Sequence, residues 1–263
     1  MSLLRRVAAV LLSLFATAAA AQQWSVSPVG ETGFPVQRVA SFAIHDSAQV
    51  DASGNLFIAG SQYSVDPNPP AQGIAGIFLA KYDVVDGHEI WRLARPGSTG
   101  VDGISAVAID ASGDAFVVGT LHDANGDHML VARVNGATGQ MMWQAGALTN
   151  DGNPSATNGF DIALDASGHV FALGTQRGTA VVAKIDANTG DILGQALPAV
   201  DRIAGSQDPV AIRIDADGNV VGVTFVDNGS ASELFKLSGT DGTRIWATPW
   251  TYRINAPGGP DIE

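Results

Sequence analysis

The residues best suited to chemistry lie in one short run, Asp123-Ala124-Asn125-Gly126-Asp127. Oxygen donors at Asp123, Asn125 and Asp127 alternate as a hard cation such as calcium requires. The run lacks the rest of an EF-hand loop, including its distant glutamate. A polar connection is therefore expected there and no metal is assigned. Asp215-Ala216-Asp217-Gly218-Asn219 looks similar, but three Ser-containing relatives share its place and a turn accounts for it. His122 and His128 could bind a transition metal, yet spacing fixes no third ligand. Cysteine is absent, which removes thiolate nucleophiles and thiolate metal sites. No nucleophile elbow, phosphate loop or H-E-x-x-H helix is present, so no catalytic or cofactor-binding residue is assigned.

The elements that would position any such site come from internal repetition. Val50-Asp51-Ala52-Ser53-Gly54-Asn55 recurs in form at Asp110, Asp165 and Asp215, each time leading into a β-rich run. A second element follows each copy, clearest as Ala132-Arg133-Val134-Asn135-Gly136-Ala137-Thr138-Gly139 and ending at Trp143. Its glycines, Gly87, Gly139, Gly190 and Gly242, lie 52, 51 and 52 residues apart. Chance does not give that period over four copies.

Each module holds four strand candidates, and the second reads Ile104–Ile109, Ala115–Leu121, Met129–Val134 and Met141–Ala147. Apolar spacing of three and four residues is missing, so helices are not expected beyond the N-terminal segment. The Asp-x-x-Gly elements suit a type I turn closed by a left-handed glycine. A four-stranded antiparallel unit of roughly 50 residues cannot bury both faces alone, whereas radial stacking buries both and shields the edges. The predicted fold is all-β, a β-propeller of about four complete blades, over about 40–94, 103–148, 158–198 and 208–250.

With strands A to D in each blade, the tight A–B and C–D turns share one end of the propeller. The variable connections (61–76, 95–103, 122–128, 148–159, 198–208 and 226–231) share the other, where binding usually resides. Its polar candidates are Asp66, Arg95, Asp102, His122, Asp123, Asp127, His128, Asp151, Arg177, Asp201, Arg202 and Asp208.

Ala-x-x-Asp-x-x-Thr-Gly-x-x-x-Trp, matched at Ala132–Trp143 with Asn135 in the Asp slot, at Ala80–Trp91 with Asp86 in the Thr slot, and more loosely at Phe235–Trp246, resembles the tryptophan-docking repeat of the pyrroloquinoline-quinone-like (PQQ-like) propellers. The third copy keeps Ala183, Asp186, Thr189 and Gly190 but has Gly194 in the tryptophan slot. The Asp-x-x-Gly-Asn hairpins are also similar to short propeller repeats of bacterial secreted and surface proteins. The resemblance covers nearly all of 40–250. It implies that Trp91, Trp143 and Trp246 are buried between blades as structural residues. For the enzymes of that family it would imply PQQ held by calcium, but those have roughly eight blades and many carry paired cysteines, which this chain lacks. Neither cofactor is assigned.

The first 21 residues read as a secretory signal peptide. Arg5 and Arg6 precede an apolar run from Val7 to Phe15, and Ala19-Ala20-Ala21 offers a cleavage site. The run is too short to span a bilayer, and no later segment is long enough to do so. An exported protein, periplasmic or extracellular, is expected. Net charge is −12, or −14 without that segment, which disfavours nucleic acid and anionic lipid as partners. With 46% hydrophobic and 15% charged residues, the chain has enough apolar surface for a large core. Residues near 23–30, around Trp24, read as an orphan outer strand, and 258–263 resembles the start of a further blade. A monomer, or a module of a larger chain and ring, is expected. The functional expectation is a non-enzymatic binding scaffold for a protein or glycan. The alternative is a fragment of a quinone-dependent dehydrogenase-like propeller.

Overall fold

Strands with apolar residues on both faces must be covered on both sides, and such runs recur in the middle of every module. Ala115-Phe116-Val117-Val118 and Leu130-Val131-Ala132 are wholly buried, the pattern of strands sandwiched between neighbouring layers. The computed structural model describes residues 39–40, 47–64, 74–97, 100, 102–124, 126–145, 157–176, 178–196, 208–226 and 231–250. The expectations placed on 1–21, 23–30 with Trp24, and 258–263 lie outside these residues, as do Asp66, Asn125, Asp151, Arg177, Asp201 and Arg202.

The first sheet comprises β1 (Val39–Ala40), β2 (Ala48–Val50), β3 (Leu56–Ser64), β4 (Ile74–Tyr82) and β5 (Glu89–Arg95). Both β1 and β2 pair with β3, together filling the place of one inner strand. The second comprises β6 (Gly103–Ile109), β7 (Ala115–Asp123), β8 (Gly126–Val134) and β9 (Met141–Gln144). The third comprises β10 (Thr157–Leu164), β11 (His169–Gln176), β12 (Thr179–Asp186) and β13 (Ile192–Ala196). The fourth comprises β14 (Asp208–Ile214), β15 (Val220–Val226), β16 (Ala231–Leu237) and β17 (Arg244–Trp250). Neighbours run antiparallel in chain order within every sheet, and no helix occurs among the described residues. The chain is all-β and propeller-bladed.

Three apolar cores lie between successive blades. Phe57 and Leu79 meet Val117 and Leu130; Phe116 and Val131 meet Ile162 and Ile185; Phe171 and Leu173 meet Ile212 and Phe235. Each such side chain contributes about 1.5–3 kcal/mol by leaving water. Cohesion is therefore a property of neighbouring pairs rather than of one central core. The inner strands β6, β10 and β14 touch in succession.

Every A–B turn is organised by its first aspartate. Oδ1 of Asp51, Asp110, Asp165 and Asp215 accepts backbone N–H groups two and four residues ahead at 2.8–3.0 Å. One short carboxylate thus replaces the ladder bonds that a tight reversal leaves open.

The connections expected at 61–76 and 148–159 lose residues to β3, β4 and β10, and a third differs more. Residues 122–128 were expected to form a loop, but β7 runs to Asp123 and β8 begins at Gly126. Cross-strand pairing explains the extension: His122 Nδ1 meets Asp127 Oδ1 at 2.6 Å, and His128 Nε2 meets Asp123 Oδ1 at 2.9 Å. The reversal is completed by Gly126 at φ 116°.

Candidate functional site

Two places in the fold bear on function: the seams between blades, and the end that carries the B–C and D–A connections.

In the first seam, Trp91 lies opposite Lys81 on the outer strand. Its indole Nε1 donates to Gly136 O at 3.0 Å, in the C–D turn of the next blade. Lys81 Nζ donates to the same carbonyl at 3.0 Å. Lys81 also pairs with Asp51 of its own A–B turn at 2.9 Å. Phe57 meets the indole edge-on, 5.6 Å between ring centroids. The second seam repeats the arrangement. Trp143 Nε1 and Arg133 Nη1 both donate to Ala187 O, at 3.0 and 3.1 Å, and Phe116 lies 6.0 Å from the indole. The platform under each ring is a turn glycine. A Cβ on Gly139 would fall 2.7 Å from Trp91, and one on Gly190 2.9 Å from Trp143. Positive φ, 71° and 79°, favours glycine at both places independently.

The expected burial of the three tryptophans needs correction. Trp91 and Trp143 are half-buried, packed against inter-blade cores at one edge. Trp246 is 42% exposed and belongs to none of the apolar cores between the described blades. Gly87 and Gly242 hold the same turn position at φ 74°.

The basic residue of each seam was missed in the sequence, although Lys81, Arg133, Lys184 and Lys236 share the 52, 51 and 52 spacing. A charged residue within a strand reads as solvent-facing. Here it links its own A–B turn or the next blade's C–D turn: Lys184 Nζ donates to Gly239 O at 2.6 Å, and Lys236 pairs with Asp215 at 2.6 Å. The Lys236 ammonium holds the Asp215 carboxyl down at about 2.

At the other end, a cavity of about 480 Å³ opens among Ser61, Thr120, His122, Asp127 and Asn158, drawn from three blades. Gly100 lies against the His122 ring and Gly103 against Ser61, each too closely for a Cβ. Asp102 is buried and accepts the His122 amide at 2.6 Å. Burial pushes its carboxyl above the ordinary value despite that bond and the nearby Arg95. Thr120 Oγ1 donates to Asn158 Oδ1 at 3.3 Å.

Two of the calcium candidates, Asp123 and Asp127, are not brought together. Asp123 and Asp127 project from opposite faces of the hairpin by strand alternation, and each faces a histidine. Asp83, Asp86 and His88 do converge in the first C–D turn. Asp83 there accepts the amides of Val85 and Asp86, and Asp86 accepts the His88 amide and meets its ring. The inner strands carry Asp161, whose oxygens accept the amides of Ile162 and Ile212 and meet Arg213. A calcium-held quinone needs grouped, uncommitted oxygen donors; among the described residues, Asp83, Asp86 and Asp161 are instead bonded to neighbouring amides and side chains. No helix of the described residues is long and apolar enough to cross a membrane.

No protein-family model matches the chain, and no curated protein does. Among solved structures it is similar to the Dos1 propeller, at 10% identity over 79% of this chain and 51% of that one, with TM-score 0.47. It is also similar to quinohemoprotein alcohol dehydrogenase from Comamonas testosteroni, at 12% identity over 77% and 35%, TM-score 0.47. BamB from Moraxella catarrhalis matches at 12% identity over 83% and 80%, TM-score 0.42. The chain thus spans about half the length of the Dos1 propeller and about a third of the dehydrogenase. Its assignment as a propeller rests on its own sheet order and the cores between its blades.

Proposed function

We propose that the protein is an exported, non-enzymatic binding scaffold. Its partner, a neutral or basic protein loop or glycan, is engaged by the end carrying the B–C and D–A connections. The observation that carries this reading is the unequal chemistry of the two ends. At the A–B and C–D end, the turn-opening side chains fold back onto backbone amides of their own turns. At the other end, side chains from three blades converge on a cavity whose imidazole, His122, and carboxylate, Asp127, face solvent in part. A concave, multi-element surface with a few placed polar groups on a rigid scaffold is where partners are usually held. Export is supported by the signal-like first 21 residues, and the net charge of −12 favours neutral or basic partners.

Site-specific photo-crosslinking tests the assignment of ends. A probe at exposed Ala124 lies beside the cavity end, and one at exposed Ala166 lies in an A–B turn. A single adduct from the first position and none from the second is the expected pattern. Equal yields, or adducts from Ala166 alone, would remove the proposal. Dye-linked alcohol oxidation after mixing with PQQ and calcium would replace it with the enzymatic alternative.

A further inference from the structure

The third seam contains every part of the tryptophan dock except the tryptophan. Gly194 lies opposite Lys184 on the outer strand, in the register that places Trp91 opposite Lys81 and Trp143 opposite Arg133. Phe171 stands where Phe57 and Phe116 stand, with Lys184 Nζ 5.8 Å from its ring centre. Gly242, at φ 74°, supplies the platform that Gly139 and Gly190 supply in the other seams. Gly239 O takes the place of the Gly136 and Ala187 carbonyls and accepts Lys184 Nζ. In the first two seams that carbonyl accepts two donors, the cation and an indole N–H. A carbonyl oxygen has two lone pairs, so Gly239 O retains capacity for the second.

A cavity of about 260 Å³ lies where the ring would be, bounded by Phe171, Val182, Lys184, Gly194, Leu237 and Gly242. A Cβ built on Gly194 meets nothing within 4 Å. An engineered apolar cavity of about 150 Å³ left by a truncated side chain takes benzene; this one is larger, and Gly239, whose oxygen is the acceptor, lies between the lining residues Ser238 and Thr240.

We propose that the seam between the third and fourth blades is a binding site for a small indole-type ligand, seated in the space that Gly194 leaves open. The bicyclic ring lies between the Phe171 edge and the Gly242 backbone, and its N–H donates to Gly239 O. Both contacts copy those made by Trp91 and Trp143 within the same chain.

Titration of the whole chain with free indole tests this, read by amide shifts in NMR and by thermal shift. Saturable binding below about 1 mM, a raised melting temperature and shifts centred on Gly194, Gly239 and Gly242 are expected. Substituting 1-methylindole removes the donor and should weaken binding about threefold to tenfold. Gly194→Trp should raise the melting temperature and abolish indole binding. If that variant fails to fold, the amide map and the 1-methylindole ratio on the natural chain decide. No saturation by about 5 mM indole, shifts that avoid the seam, or undiminished binding to folded Gly194→Trp would each overturn the proposal. A tryptophan peptide binding more than about tenfold tighter than indole would overturn the small-molecule source in favour of a polypeptide.

Discussion

Asp161 and Ile212 join the third and fourth blades through one buried hydrogen bond: the Ile212 amide donates to Asp161 Oδ2 at 2.7 Å, and the carboxylate is wholly inaccessible. Its other oxygen accepts the Ile162 amide at 2.9 Å, and Arg213 Nη1 approaches Oδ2 at 3.0 Å. A shift in register between Gly159 and Asp161 turns this side chain toward the neighbouring strand. A carboxyl group this deep requires short bonds to fixed donors.

Asp161→Ala should therefore cost about 3 kcal/mol, since it strands a buried amide and removes the partner of a cation. Arg213 is 59% exposed on its side chain, and Arg213→Ala should cost less than about 1 kcal/mol. Urea denaturation of both variants measures the difference. Equal losses would mean that the ion pair, and not the amide bond, holds the blades.

The two classes of tryptophan should separate in the same assay. Trp143→Ala removes a ring packed on the Gly190 turn and strands one lone pair of Ala187 O, for about 3 kcal/mol. Trp246→Ala removes a side chain 42% exposed and should cost under about 1 kcal/mol. A melting curve unchanged by Trp143→Ala would remove the docking role from that residue.

The propeller was legible because turn glycines and turn aspartates are fixed by backbone geometry, and geometry repeats with each blade. The periodic Gly139 and Gly190 mark the left-handed C–D turns, and Asp110 and Asp165 mark the A–B turns at the same end. What each residue touches in the next blade was less legible. Nothing local in Lys81 announces Gly136 O, which lies 55 residues onward. His122 and Asp127 read as loop residues because Gly126 and two acids surround them, yet their pairing extends the hairpin. Gly194 read as a defect in the motif. Its consequence, an open dock, depends on the fourth blade retaining Gly239 and Gly242 in place.

Left-handed backbone and steric contact can be told apart by two alanine substitutions. Gly113 has φ 86° with open space around its missing Cβ, so Gly113→Ala should cost about 1–2 kcal/mol from conformation alone. Gly190 has φ 79°, and a Cβ there would fall 2.9 Å from the Trp143 ring. Gly190→Ala should add a further 1–3 kcal/mol, roughly the cost of overpacking. A double variant with Trp143→Ala should recover part of that second component. Equal losses for Gly113→Ala and Gly190→Ala would show that the indole moves aside freely.

Acid should loosen the turns in a defined window. Burial raises the Asp51 carboxyl, but Lys81 and the Asn55 groups outweigh it and leave it below the ordinary carboxylate value. Asp165 is likewise lowered, its burial outweighed by the His169 amide and ring and the Ser167 amide. Asp215 falls to about 2, chiefly through Lys236. A carboxyl lowered in the fold contributes stability that is complete above its unfolded value of about 3.9. That contribution is lost as pH falls through the folded value. The melting temperature should thus hold steady from about pH 7 to 5 with respect to these groups and decline between about pH 4 and 2. Asp51→Asn keeps an oxygen for both turn amides while removing the charge that Lys81 meets. It should lower the melting temperature at pH 7 and lessen the decline below pH 4. A decline of the same size in that variant would assign the acid sensitivity to carboxyls outside this turn.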